Sequence, residues 1–151
     1  LNVAGIRSPG LTSVPAIADY AAELLAADGL DLTEKDSYID SREKVHFNRL
    51  SAAERKALIE KNPAYGRVIC RCETVTEGEI LDAIHSPIPP VSVDGIKRRT
   101  GAGMGRCQGG FCGPRVVDLL ARELGVSPLT ILQDRDGSEI LTAYTKGEVR
   151  S

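Results

Sequence analysis

Four cysteines, the only ones in a chain of 151 residues, constrain the fold more than any other feature. They form two short pairs, Cys70 and Cys72 as C-R-C and Cys107 and Cys112 as C-Q-G-G-F-C, with 34 residues between the pairs. In a reducing compartment, paired cysteines favour metal binding over disulfides. We therefore expect the fold to bring the two pairs together, so that all four thiols are ligands of one metal centre.

The spacing of the cysteines leaves three interpretations. Structural zinc takes four thiolates, usually with two to four residues between paired ligands, and only the second pair has that spacing. A [2Fe-2S] cluster takes four thiolates, two per iron, and a bent C-x-C segment can straddle a cluster edge. These considerations favour [2Fe-2S] over zinc, and zinc over a disulfide or free thiols.

Glycines and charge near the cysteines also favour a cluster. Six glycines lie between residues 101 and 113, where successive backbone N–H groups can form a concavity that binds anions. Between residues 66 and 115 there are seven basic and five acidic residues, although the whole chain has a net charge of −2. A cluster built from sulfides and thiolates is anionic, so positive charge beside it is expected to raise its reduction potential.

Hydrophobic periodicity and capping signals predict a mainly α fold in which the cysteines lie on turns and helix starts. A short buried strand is predicted at residues 1–6. Capping boxes at Ser51–Glu54 and Thr76–Glu79 each predict the start of a helix. The predicted helices cover about residues 14–28, 51–61, 76–85, 94–99, 114–124 and 127–133, and those after residue 66 form paired helix-turn-helix units.

Composition argues against several function classes. The net charge of −2 does not favour nucleic acid as a partner. No apolar run approaches the roughly 20 residues needed to span a bilayer. The chain starts without Met and shows no secretory leader, so we expect a piece of a longer cytoplasmic protein, with peripheral attachment to the inner membrane through a partner as an alternative.

The cysteine-containing segment resembles a known family. Residues 71–80, RCETVTEGEI, and residues 95–114, GIKRRTGAGMGRCQGGFCGP, are similar to the bacterioferritin-associated-ferredoxin-like (BFD-like) [2Fe-2S] domain. The resemblance covers about residues 66–133. It implies that Cys70, Cys72, Cys107 and Cys112 are the cluster ligands.

The start of the chain resembles a different family. Residues 3–18, VAGIRSPGLTSVPAIA, are similar to the last strand, loop and helix of FAD oxidoreductases related to D-amino-acid oxidase. The resemblance implies that Gly5, Ile6, Ser8 and Gly10 lie against the flavin in the full-length protein. Together with residues 46–50, HFNRL, the two segments in this order resemble the C-terminal part of bacterial FAD-dependent glycerol-3-phosphate dehydrogenases.

This resemblance implies four segments and a division of labour. We expect a remnant of the FAD domain at 1–28, a linker and connecting helix at 29–65, the [2Fe-2S] domain at 66–133 and a tail at 134–151. FAD and the substrate site would lie mostly upstream, so no catalytic residue is assigned here. The expected partners are the chain's own N-terminal FAD domain and either an electron acceptor protein or a quinone-linked subunit. The alternative is a zinc-stabilised or partner-docking regulatory module of a related 2-hydroxy-acid or amine oxidoreductase.

Overall fold

A computed structural model of the chain describes residues 1–39, 41 and 44–146. It divides into two compact units, residues 1–43 and 44–151. No helix in the described ranges is both long and apolar enough to cross a bilayer.

The first unit contains one helix, α1, over Gly10–Ala27. The strand predicted at residues 1–6 is wrong: these residues are exposed, and no described strand pairs with their backbone groups. The helix also begins earlier than predicted, because the Pro9 carbonyl accepts the N–H groups of Thr12 and Ser13 and so forms the first turn. The Ser13 hydroxyl donates to the Pro9 carbonyl from within this first turn.

The second unit is mainly helical with one small hairpin. The hairpin pairs β1 (Val68–Cys70) with β2 (Val75–Thr76) in antiparallel fashion, with an irregularity between Val68 and Cys70. The helices are α2 (Ala52–Lys61), α3 (Glu77–Ile84), α4 (Val93–Thr100) and α5 (Gly113–Leu124), and 3-10 turns cover Phe47–Arg49, Pro63–Gly66 and Pro128–Thr130.

Local side-chain signals determine where several of these helices start and stop. Both predicted capping boxes are confirmed, with Ser51 and Glu54 starting α2 and Thr76 and Glu79 starting α3. Gly125 ends α5 in the left-handed conformation at φ 66°, which costs glycine little because it has no Cβ.

The core of the second unit lies between α3, α4 and α5. Ile80, Ile96 and Leu120 contribute one side chain from each helix, and each has 0% exposure. Ile131, from the segment after α5, adds a fourth side chain at 2% exposure. This small aliphatic core positions the hairpin and the α4–α5 loop, which carry the cysteines.

Candidate metal centre

Two of the cysteines lie at the ends of regular elements, and the other two lie in the connections next to them. Cys70 is the last residue of β1, and Cys72 lies in the turn that leads to β2. Cys107 lies in the glycine-rich loop between α4 and α5, and Cys112 immediately precedes the first residue of α5. All four are free thiols, so the fold assembles them without a disulfide.

The structure pairs the thiols across the two sequence pairs. The Sγ atoms of Cys72 and Cys107 lie 3.6 Å apart. Cys72 is exposed and Cys107 half-buried, whereas Cys70 and Cys112 have only 1% and 2% exposure. Each short sequence pair therefore contributes one outer and one inner thiol to the site.

The site is not a compact cage for a single ion. A tetrahedral ion with metal–sulfur bonds of about 2.3 Å holds its sulfurs about 3.8 Å apart, and three or four ligands must meet this distance at once. Among the described residues, no three His, Cys, Asp or Glu side chains are grouped so that they could hold one metal ion. The zinc alternative is therefore not supported. Four thiols arranged as two pairs suit a centre with two metal ions, each bound by one pair.

A cavity of about 320 Å³ lies among the thiols and has a positively charged wall. It is lined by the four cysteines together with Ile69, Arg71, Arg106, Phe111 and Arg115. Within the described ranges, none of these three arginines forms an ion pair. The cavity thus combines space, soft donors and unneutralised positive charge, which together suit an anionic cluster.

Burial and backbone N–H donors shift the pKa values of two of the thiols in opposite directions. The N–H of Phe111 lowers the pKa of Cys107, with further contributions from the Cys72 side chain and the N–H groups of Gly109 and Gly110. Burial raises the pKa of Cys112 to about 11, and the neighbouring Cys70 and then Cys107 add to this effect. Since metals bind thiolates, metal binding at Cys112 must release a proton, whereas the lowered pKa of Cys107 favours its thiolate form.

The glycine loop approaches the hairpin so closely at one point that a side chain would not fit. A Cβ on Gly105 would lie 2.1 Å from the Cβ of Cys72 and 3.2 Å from its Sγ. This contact was not foreseen from the sequence, where Gly105 is one of several glycines in a run. Only covariation of positions 72 and 105 among related sequences would have indicated this contact.

Gln108 stabilises the loop by contacts that do not involve sulfur. Its backbone has a positive φ of 48°, which is unusual for a residue with a side chain. Its Nε2 donates to the carbonyl oxygens of Met104 at 3.2 Å and Gly105 at 3.0 Å. These bonds help to fix the loop that carries Cys107.

The residues predicted to contact flavin lie around the turn before α1. Gly5 has a positive φ of 73°, and Gly10 is the first residue of α1. A Cβ on Gly10 would lie 2.7 Å from the Cγ2 of Ile6, so these two residues pack closely. Ser8 lies in the turn between Ile6 and Gly10.

Comparison with known proteins agrees with this description of the site. Residues 68–122 match the family described as the BFD-like [2Fe-2S] binding domain. No solved structure matches the chain.

Relatives extend the similarity beyond that domain. Glycerol 3-phosphate dehydrogenase of Caloramator mitchellensis is 49% identical over 151 residues, which are 99% of this chain and 32% of that protein. Hydrogen cyanide synthase subunit HcnB of Pseudomonas aeruginosa is 38% identical over 82% of the chain and 28% of its own length. One subunit of the anaerobic glycerol-3-phosphate dehydrogenase of Escherichia coli K12 is 36% identical over 44% of the chain and 12% of its own length.

The chain thus spans about a third or less of each of these relatives. The family match covers all four cysteines, and the similarity to the first relative continues through both units. Residues 68–122 of the chain therefore belong to the BFD-like [2Fe-2S] binding domain family, and 99% of the chain is similar to a glycerol 3-phosphate dehydrogenase.

Proposed function

We propose that Cys70, Cys72, Cys107 and Cys112 hold a [2Fe-2S] cluster and that this part of the chain relays electrons between a flavin and an acceptor. The observation that carries the proposal is the convergence of four free thiols, two inner and two outer, on one cavity with a positive wall. The match to a [2Fe-2S] binding family over residues 68–122 supports it.

The protein contributes positioning, charge and partial exclusion of water. β1 and the start of α5 hold Cys70 and Cys112 beside the helical core, so the inner part of the site has little contact with solvent. The outer part is solvated, and backbone N–H groups donate to the sulfur of Cys107. When bound, a [2Fe-2S] cluster supplies a centre that accepts and donates single electrons.

The relatives also support a proposal for the activity of the full-length protein. We propose that the full-length protein oxidises glycerol 3-phosphate at FAD held mostly by upstream residues, with Gly5, Ile6, Ser8 and Gly10 beside the flavin. The cluster domain then passes electrons singly from reduced flavin to an acceptor protein or a quinone-linked subunit, in the cytoplasm or at the inner face of the membrane. Two-electron flavin chemistry coupled to one-electron carriers is a recurrent reason for such a domain.

Metal and sulfide analysis of the protein purified without oxygen tests the proposed centre. We expect two irons and two acid-labile sulfides per chain, with visible absorption that bleaches on reduction. Cys72→Ser and Cys107→Ser should each reduce the cluster content and destabilise the second unit, because cluster binding is coupled to folding. A colourless protein that binds one zinc per chain after iron and sulfide reconstitution would contradict the proposal.

Rapid-mixing kinetics on the full-length protein test the direction of electron flow. Glycerol 3-phosphate should bleach the flavin first and the cluster afterwards, and a variant that lacks the cluster should retain only flavin reduction. Reduction of the acceptor at an unchanged rate in that variant would show that the cluster is not on the path.

The positive wall gives a separate test that does not depend on turnover. Replacing Arg71, Arg106 or Arg115 by Gln removes one positive charge beside the cluster and should lower its reduction potential. Coulomb's law at about 10 Å, with effective dielectric constants between about 80 and 20, gives roughly 20 to 70 mV for each arginine. Arg98→Gln is the matched control, since Arg98 pairs with Asp134 and does not line the cavity.

A further inference from the structure

The two ends of the proposed cluster site differ in their surroundings, and that difference bears on where a transferred electron resides. A [2Fe-2S] cluster has two irons, each with two thiolate ligands. Four cysteines can be divided between the two irons in three ways. The order of the cysteines in the sequence does not choose among them.

Distances and burial choose one division. Cys72 and Cys107 bring their Sγ atoms to 3.6 Å, close to the roughly 3.8 Å between two thiolates on one tetrahedral ion. Cys70 lies beside Cys112, and both are almost completely buried. Either of the other two divisions, Cys70 with Cys72 or Cys70 with Cys107, would put one outer and one inner ligand on each iron and would separate the close sulfur pair.

From this arrangement, and resting on the proposed function, we infer that Cys72 and Cys107 bind an outer iron that takes up the electron, while Cys70 and Cys112 bind an inner iron that stays ferric. The step converts one ferric ion to ferrous; no bond is broken and no proton is taken up. The electron comes from reduced flavin in the full-length protein and from dithionite in the test below.

The electrostatic reason is that reduction adds one negative charge to the cluster. Burial disfavours added charge, whereas solvent and hydrogen-bond donors favour it. The backbone N–H groups of Gly109, Gly110 and Phe111 donate to the sulfur of Cys107, and Cys72 is exposed. Donors to a ligand sulfur and solvent exposure are among the factors that set the potential of an iron–sulfur centre, so the outer iron is the more easily reduced.

The location of the electron also determines where a redox partner must approach. Cys72 is exposed, so the outer end of the site opens to the surface, where Phe111 borders the cavity with 82% exposure. An electron held at the outer iron is therefore nearer to a docked partner than one held at the inner iron. Electron entry and exit are both expected at this edge.

Mössbauer spectroscopy of ⁵⁷Fe-loaded, dithionite-reduced protein distinguishes the two irons, because ferrous and ferric sites have different isomer shifts and quadrupole splittings. Replacing a thiolate by serine changes the parameters of the iron that carries it. We expect Cys72→Ser and Cys107→Ser to change the ferrous component only, and Cys112→Ser, the matched inner variant, to change the ferric component only. If Cys72→Ser changed the ferric component, or if Cys72 and Cys107 affected different irons, the inference would be overturned.

Proton NMR of the reduced wild-type protein decides the question if the serine variants lose the cluster. The Cβ of Cys72 packs against Gly105, so its hyperfine-shifted protons can be identified by a nuclear Overhauser effect to the Gly105 α protons. In an antiferromagnetically coupled pair, protons on the ferrous ligand show shifts that increase on warming. A decrease on warming would place Cys72 on the ferric iron, whereas a wild-type protein without any cluster would contradict the proposed function itself.

Discussion

Gly105→Ala should disrupt the proposed metal centre although Gly105 is not one of the proposed ligands. An added Cβ would lie 2.1 Å from the Cβ of Cys72 and 3.0 Å from the Oε1 of Glu73. The carboxylate can rotate away, but Cys72 is fixed by its place in the hairpin turn. The substitution therefore acts mainly on the position of one ligand.

The size of the effect follows from this contact. Two carbon atoms in comfortable contact are about 3.5 Å apart, so the loop and the hairpin must separate by about 1.4 Å. Metal–ligand distances tolerate only about 0.2 Å. Overpacking of this kind costs about 1–3 kcal/mol, which for a unit of roughly 100 residues lowers the Tm by about 5–15 °C.

Gly113→Ala is the matched control for this substitution. Gly113 lies next to Cys112 and begins α5, but apart from its two chain neighbours and the nearby backbone of α5 no atom comes within 4 Å of its would-be Cβ. The assay measures iron and sulfide per chain, visible circular dichroism and thermal unfolding for both variants and the wild type. We expect Gly105→Ala to lose most of its cluster and Gly113→Ala to retain it.

A full cluster complement and an unchanged Tm in Gly105→Ala would refute this reasoning. Such a result would mean that the hairpin and the loop can separate without disturbing the centre, and hence that Cys72 is not held as a ligand by this contact. Equal loss in both glycine variants would instead show that any added methyl group near the cysteines is disruptive.

Two further predictions concern the polar contacts that support the site. Glu77 is buried and accepts from Arg67 and from Arg122, the latter at 3.0 Å, so Glu77→Gln should reduce the free energy of unfolding by about 1–2 kcal/mol in urea titrations. The hydrogen bond from Arg67, followed by that from Arg122, lowers the pKa of Glu77 from its ordinary value of 4.5. The extra stability of the wild type over Glu77→Gln should therefore persist above pH 4.5 and be lost as the pH falls through the pKa of the folded state. A stability difference that does not change with pH would contradict this. Tyr65→Phe removes the hydroxyl that donates to Asp82 and should cost about 1 kcal/mol in the same assay, and no change would show that the bond contributes nothing.

The sequence was a good guide where structure depends on near neighbours. Both capping boxes and the glycine at the end of α5 could be identified because each uses residues within a few positions of a helix terminus. The strand at residues 1–6 failed for the opposite reason: an extended apolar segment becomes a strand only when another strand pairs with it, and no periodicity contains that information.

The candidate site shows the same limit. The four thiols could be selected from residue type and spacing, but their pairing across the two motifs depends on how the hairpin meets the α4–α5 loop. Of the seven basic residues around the motifs, three line the cavity, while Arg98 forms an ion pair with Asp134. Spacing predicts which residues are available for chemistry, and only tertiary packing decides which of them meet.

The contacts of the Glu79 carboxylate determine where the cysteine-containing unit could be cut out and still fold. Its Oε2 accepts from the backbone N–H of Thr76 in the α3 capping box, and its Oε1 accepts from the backbone N–H of Phe47, 32 residues earlier. Phe47 is itself buried and stacks on Tyr65 at a centroid distance of 6.5 Å. A transplantable module that carries the four cysteines should therefore start near Lys44, because a cut at the first residue of the cysteine motif would remove the aromatic contact that supports α3.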